Sequence, residues 1–390
     1  MYLKLFNYIL KIALALLLTL PFDPAAVAED LFVPDDYDTI EEAMEEALYG
    51  DTVFVKEGVY NERVVVKEGV ALVSFAGDDG NDLVDGPGDK KVLRRTVRTI
   101  IDGTGIEEAG YLVSFPKDTT APMRLDGFTI INMPKYLSGI NLFMVEVRGC
   151  SPEVVNNIVA GNRSFGGIIA TGLGLGMGPP LETTAKPIIR NNVVYDNDGP
   201  GITNGPNSEA LIADNEIFDN RFPDATDEDP DAPGIGVREY ARPIIEDNVV
   251  YRNGAGVGGI NFDSNEKPLI IRNNVIYGNR RGGIGIRGVG RPQSDMRAVV
   301  ENNKIYGNLK AGMLFSKMDE VTVVYNTVFD NTQAGIVFLN VDEALIEDNE
   351  IFGNLNVGMR LLNVPLAAAR RNHIYNNVTV GIDFIGWEKE

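Results

Sequence analysis

The sequence predicts an all-β fold: a single-stranded parallel β-helix with three strands per coil and a short capping α-helix at its N-terminal end. Three observations carry this expectation. First, one phrase recurs nine times between Asn157 and Asn377, as in "NVVYDN" at Asn192–Asn197 and "NEIFGN" at Asn349–Asn354. Each copy opens on an Asn, carries an aliphatic residue two positions later, and closes on a second Asn. Second, from Asn303 the lead Asn returns at Asn326, Asn349 and Asn372, a period of 23 residues that marks a solenoid. Third, each unit holds three short β-branched or aliphatic runs parted by Gly, Asn or Asp, and no helical stripe. Three strands and three turns in that length make one coil. Lead Asn residues stacked one strand spacing apart can bond to one another and to turn backbone, and Asn tolerates left-handed conformations. Their role is therefore structural.

Taken in order, the chain opens on a targeting segment. Lys4 and Lys11 flank the apolar run Ile12–Leu20, and "AVA" at Ala26–Ala28 supplies a cleavage site after Ala28. The expectation is export to the periplasm, cell surface or medium, with no integral membrane span once residues 1–28 are removed. Residues 29–75 hold the cap and the first strands. Ile40, Ala43, Met44 and Ala47 put an apolar face on a helix over Thr39–Tyr49, capped by Asp38 or Thr39 and ended by Gly50. Such a helix covers the exposed edge of a β-helix. Residues 76–150 are irregular coils interrupted by "GDDGNDLVDGPGD" (Gly77–Asp89), read as a solvated acidic loop or a calcium loop. Residues 151–390 are the regular repeats, and 29–390 form one solenoid domain.

Composition narrows the partners. Lys and Arg number 35 against 56 Asp and Glu, a net charge of −21, which argues against nucleic acid. A strongly anionic polysaccharide would need calcium or a local basic patch to bridge the repulsion. Cys150 is the only cysteine, so no intramolecular disulfide forms and stability rests on the stacked core.

Departures from the period locate the functional face. Extra residues enter before the first strand of a coil, at Arg221–Pro233 and Gly254–Gly258, and after it, at Thr171–Pro187 and Arg287–Asp295. Loops on a solenoid gather on its binding face. With Ile235, Val237, Ile260, Phe262, Ile284 and Ile286 turned inward, alternation turns Arg238, Asn261, Asp263 and Arg287 outward between the loops. Glu239 and Tyr240 follow at the turn, and Arg291 stands in the loop beyond. Asp224, Asp227, Asp229 and Asp231 form a candidate calcium set. Asn261, Tyr240 and Arg291 are candidate substrate contacts. The structural alternative is a surface charge ladder, because Arg238, Asp263 and Arg287 fall in one column. Glu246, Arg272 and Glu301 make another such ladder. The aromatic column from Tyr195 to Tyr375 is read as packing. His373 has no partner suited to a triad.

The repeat phrase, with "RTIIDG" (Arg98–Gly103), "RLDGFTIIN" (Arg124–Asn132) and "DTVFVKEGVYNERVVV" (Asp51–Val66), resembles the right-handed parallel β-helix proteins related to pectate lyases. It is most similar to their NosD-like bacterial surface and periplasmic branch. The resemblance implies a right-handed winding and a cleft on the first strand. In lyases of that superfamily an Arg takes the proton beside a carboxylate while aspartates hold calcium. Here that implies Arg238 or Arg287 as base, with Asp263, Glu239 and the Asp224–Asp231 loop as ligands. Motifs of the alginate epimerase, polygalacturonase and pectin methylesterase branches are missing. The expectation is an exported protein that binds polysaccharide on the loop-flanked face. The alternatives are a lyase or glycosidase in the same groove, with Glu239 and Asp263 as a carboxylate pair, and a non-catalytic scaffold. The C-terminal edge is open to Trp387, a partner, or self-association with a second copy.

Overall fold

The computed structural model describes residues 28–107, 110–133, 143–172, 184–226, 231–262, 267–289 and 295–386. Almost all of its regular structure is parallel strand, stacked in three columns. The third column is a 12-stranded sheet running from Gly58–Tyr60 to His373–Tyr375. The first and second columns merge into one 23-stranded sheet, which departs from three separate strands per coil. The merger occurs in two coils, where Met313–Val324 and Ile336–Glu347 run through both columns as 12-residue strands. There a single left-handed residue, Lys317 (φ 55) or Asn340 (φ 52), bends the chain without breaking the ladder. No helix among the described residues is long and apolar enough to cross a membrane.

Alternation fills the interior. Ile235 and Val237, Ile284 and Ile286, Met313 and Phe315, and Ile336 and Phe338 are buried from the first column. Val300, Val323 and Ile346 enter from the second, and Ile276, Ile305 and Val328 from the third. One core runs the length of the molecule, and in the middle coils strands such as Ile168–Thr171 and Glu216–Phe218 are covered on the outer face as well.

Two columns of asparagine amides line that core. From Asn157 to Asn372 each lead Asn donates its Nδ2 to the next Oδ1 at 2.9–3.1 Å. The second column runs from Asn197 to Asn377 in the same way, at 2.8–3.3 Å. Each lead Oδ1 also receives the backbone N–H of the Asn one coil below, as Asn303 does from Asn274 at 2.9 Å. The left-handed residue is the one before the lead Asn: Asn156, Asn191, Asp214, Asp247, Asn273, Asn302, Tyr325, Asp348 and Arg371 have φ of 54–60°. The bend one residue earlier turns the Asn side chain inward to reach its neighbours. The glycine that opens each first strand has a steric cause. A Cβ on Gly312 would lie 2.5 Å from Val328 Cγ1 and 2.9 Å from Asn331 Nδ2.

The cap helix is Ile40–Glu46, shorter than expected at its C-terminal end. Thr39 caps it, its Oγ1 accepting the Glu42 amide at 3.1 Å, while Ile40, Ala43 and Met44 are buried. The acidic insertion is solvated, its five aspartates all exposed, but it is an ordered hairpin and not a loop. Leu83–Asp85 and Lys91–Leu93 form an antiparallel hairpin that lies along the outer face of the third column. Its acidic groups meet basic ones, Asp79 and Asp82 each 3.4 Å from Arg94 and Asp85 paired with Lys91. Behind it the short helix Arg94–Arg98 inserts the buried Arg95, which bonds to Asp126 at 2.6 Å and to Ser74 at 3.0 Å.

Candidate functional site: the loop-flanked face of the first column

Register decides what this face presents. Ile235, Gly236 and Val237 pair with Val257, Gly258 and Gly259, which in turn pair with Ile284, Gly285 and Ile286. The segment Gly254–Gly258, read from sequence as an inserted loop, therefore belongs mainly to the strand Ala255–Phe262. Its Gly256 is the repeat glycine: a Cβ there would lie 2.3 Å from Gly283 O. The expected inward placement of Ile260 is corrected accordingly. An odd shift of register reverses the facing of every residue, and Ile260 points outward, 52% exposed, opposite Arg287.

The outer face then carries two lanes along the helix axis. One runs Thr203, Gly236, Gly258, Gly285 and Leu314 on successive coils. Of the three glycines Gly285 is open, a Cβ there meeting nothing within 4 Å, whereas Gly236 is buried and a Cβ on Gly236 or Gly258 would lie 3.4 or 3.1 Å from the Pro233 ring. Thr203 is buried at the head of this lane, and its Oγ1 has no hydrogen-bond partner among the described residues. Beyond it Ile169 and Glu146 continue the lane, Glu146 bridged to Arg148 at 2.9 Å. Burial, with the Glu146 carboxylate beside it, pushes the Tyr111 hydroxyl up and keeps it protonated. The other lane runs Arg238, Ile260, Arg287 and Ser316. Arg238 and Arg287 are exposed and stand two coils apart, about 10 Å at the usual strand spacing. Neither guanidinium forms an ion pair or hydrogen bond among the described residues. In a chain with 56 acidic and 35 basic residues, two neighbouring unpaired arginines are exceptional.

Other candidates fall in different places. Glu239 and Tyr240 form the half-buried turn after Arg238. Tyr240 sits at φ 59, in the left-handed region that bulky residues rarely occupy. Asn261 lies in the strand after Ile260, one position off the expected column, and its side chain lies outside the described residues. Asp263, Arg291, Asp227 and Asp229 lie outside them too, as do Trp387 and residues 1–27 of the expected targeting segment 1–28. Asp224 is exposed on its loop. Asp231 is buried, its Oδ1 accepting the Phe222 and Ala232 amides at 3.0 and 2.8 Å. Its Oδ2 lies 3.8 Å from Arg221 and 3.7 Å from Arg280, so this carboxylate pins the loop and is already matched by cations. Among the described residues no three His, Cys, Asp or Glu side chains converge to hold a metal. The outward glycines and Thr203 were not singled out from sequence, though the signal was present in the phrases "GIGV", "GVGG" and "GIGI". In each, the second glycine faces out.

The fold and this face define a parallel β-helix protein. The chain belongs to the right-handed beta helix family, whose pattern matches residues 145–293 and 258–389. Among solved structures, the A-module of mannuronan C-5 epimerase AlgE4 from Azotobacter vinelandii is similar over 90% of this chain and 92% of its own, at 15% identity and TM-score 0.57. The AlgE6 A-module of the same organism covers 90% and 94% at 15% identity and TM-score 0.52. The DFA-IIIase of Arthrobacter chlorophenolicus A6, in complex with GF2, covers 82% of each chain at 11% identity and TM-score 0.50. At such identities the likeness is one of fold. No curated protein matches in sequence.

Proposed function

We propose that this protein is exported and binds a polysaccharide along the loop-flanked face, the glycan lying over the lane of Arg238, Ile260 and Arg287. The observation that carries this reading is the pair of unpaired guanidiniums, Arg238 and Arg287, on either side of the exposed Ile260. The open Gly285 beside this lane leaves room for a sugar ring, Ile260 offers an apolar patch to a sugar face, and the arginines favour anionic groups on the glycan. They are the local basic patch that so acidic a protein needs before it can hold an acidic polymer. The structural neighbours, two mannuronan C-5 epimerases and a DFA-IIIase, support a carbohydrate ligand in the same general sense.

The test is binding of the full-length protein to alginate, pectate and a neutral glycan by calorimetry, with calcium and with a chelator. Acidic glycan is expected to bind and to weaken with salt. Arg238→Ala and Arg287→Ala should each cost roughly tenfold, the weight of one charge-assisted contact. Absence of binding to all three glycans would sink the reading. Cleavage in the same groove is the second reading, favoured by the strained Tyr240 beside Arg238. Release of unsaturated or reducing ends, lost in Arg238→Ala, would separate it from simple binding.

A further inference from the structure

The hairpin over the third column is held by one carboxylate. Glu216, 3% exposed, accepts the consecutive backbone amides of Asp89 and Lys90 at 2.9 and 2.8 Å and the Tyr251 hydroxyl at 2.7 Å. Lys90 Nζ adds a bond to the Asp214 carbonyl at 2.9 Å. The turn must be tight, because Gly88 sits at φ +78 and a Cβ there would be 2.6 Å from Glu216 Oε1. The two successive N–H groups take one carboxylate oxygen each, Asp89 N–H donating to Oε1 and Lys90 N–H to Oε2, a charge-assisted two-point grip. Val92 of the hairpin then packs on Phe218 and Tyr251.

The same seat occurs again along the same face. Asp214–Asn220 reads DNEIFDN and Asp348–Asn354 reads DNEIFGN, differing at one position. Glu350 lies in the column of Glu216, five coils on. Tyr375, on the next coil, donates to Glu350 Oε1 at 2.9 Å, as Tyr251 does to Glu216. Asp348 has φ 55, as Asp214 has, so the turn carbonyl is set the same way. Two things differ: the residue beside the carboxylate on the next coil, His373 against Val249, and the cover. Glu350 is half-buried, receives no other hydrogen bond among the described residues, and stands beside the half-exposed edges of Phe329 and Phe352.

The aromatic column also restricts what can sit there. Successive rings from Tyr195 to Tyr375 are 4.9–5.0 Å apart and within 10° of parallel, so along the column the faces are used by neighbouring rings and edges are offered. Tyr375, the last ring, has Phe352 on one side and the His373 ring with its centroid 4.5 Å away. A sugar stacks on a ring face. A polypeptide turn can pack on edges, as the hairpin does.

We propose that Glu350 and Tyr375 form a second, intermolecular turn-binding seat, whose occupant is a tight β-turn of a partner polypeptide presenting two consecutive backbone N–H groups. The internal hairpin is the template for that occupant. The probe is a cyclised synthetic peptide carrying residues 82–94 of this chain, titrated into the full-length protein and followed by calorimetry and by NMR. The wild-type protein is expected to bind it one to one. Glu350→Gln should weaken binding about tenfold or more and Tyr375→Phe by less, with circular dichroism unchanged. A peptide with Gly88→Ala should not bind. No binding at millimolar peptide would overturn the proposal. So would binding that survives Glu350→Gln, since the peptide would then be displacing the intrachain hairpin at Glu216.

Discussion

At the scale of single residues, the buried amides matter most because each serves several others. Asn303 Oδ1 accepts both the backbone amide and the Nδ2 of Asn274, and its own Nδ2 reaches Ile271 O, Glu301 O and Asn326 Oδ1. Asn303→Ala leaves the buried Asn274 backbone N–H without its acceptor, while Asn274 Nδ2 keeps Ile245 O and Arg272 O, so a loss of roughly 1–3 kcal/mol is expected. The specific readout is hydrogen exchange, in which the Asn274 amide should lose protection ahead of its neighbours. A loss below about 1 kcal/mol would mean that water replaces the missing acceptor. Asp126 gives the pH dependence. Burial pushes its carboxyl up, but the Arg95 charge and hydrogen bonds from Asn156, Arg124 and Arg95 outweigh burial and hold it below the usual carboxylate value. The stability this supplies is present above the unfolded value, about pH 4, and disappears as pH falls through the lowered folded value. Asp126→Asn should flatten that acid limb in an unfolding series from pH 6 to pH 2. It should also cost about 3–5 kcal/mol at neutral pH by leaving Arg95 buried without its partner. The amide columns were legible in sequence as a repeat, but the left-handed position was not. Asn or Asp fills it in seven of the nine copies, but Tyr325 and Arg371 fill the other two, where only the geometry of the neighbouring Asn demands it.

At the scale of elements, legibility depended on whether a segment repeats. The cap helix could be read because its apolar spacing, its Thr39 cap and its position before the first coils agree with one another. The acidic insertion could not, because its fold depends on Glu216, 126 residues or more away in the chain. A hairpin whose partner is so distant leaves only turn residues and charges to read locally. The functional face fell between these cases. Its loops and both arginines were visible as departures from the period, yet "GAGVG" concealed a strand, since small residues give alternation little to register. The resulting slip placed Ile260 inside and Asn261 in the column that Ile260 occupies. The lesson is physical: where a strand is built of glycine, pairing with the coils on either side fixes its facing, and its own side chains do not.

At the scale of the whole molecule, stability is a sum over coils and the contacts between nearest neighbours. The last coils repeat without variation, with Asn303, Asn326, Asn349 and Asn372 bonded to one another across 23 residues each. Removing Asn326–Asp348 would excise one strand from each column and bring Asn303 to Asn349 with every amide contact restored. The shortened chain is expected to keep its circular dichroism and unfold cooperatively, while a deletion one residue shorter should misalign both amide columns and collapse them. If both deletions fold equally well, the columns do not set the register. Length in this protein is therefore counted and not continuous. Each added or lost unit moves the two ends by one rung, about 4.8 Å, so a lineage or an engineer can change its reach only in whole steps.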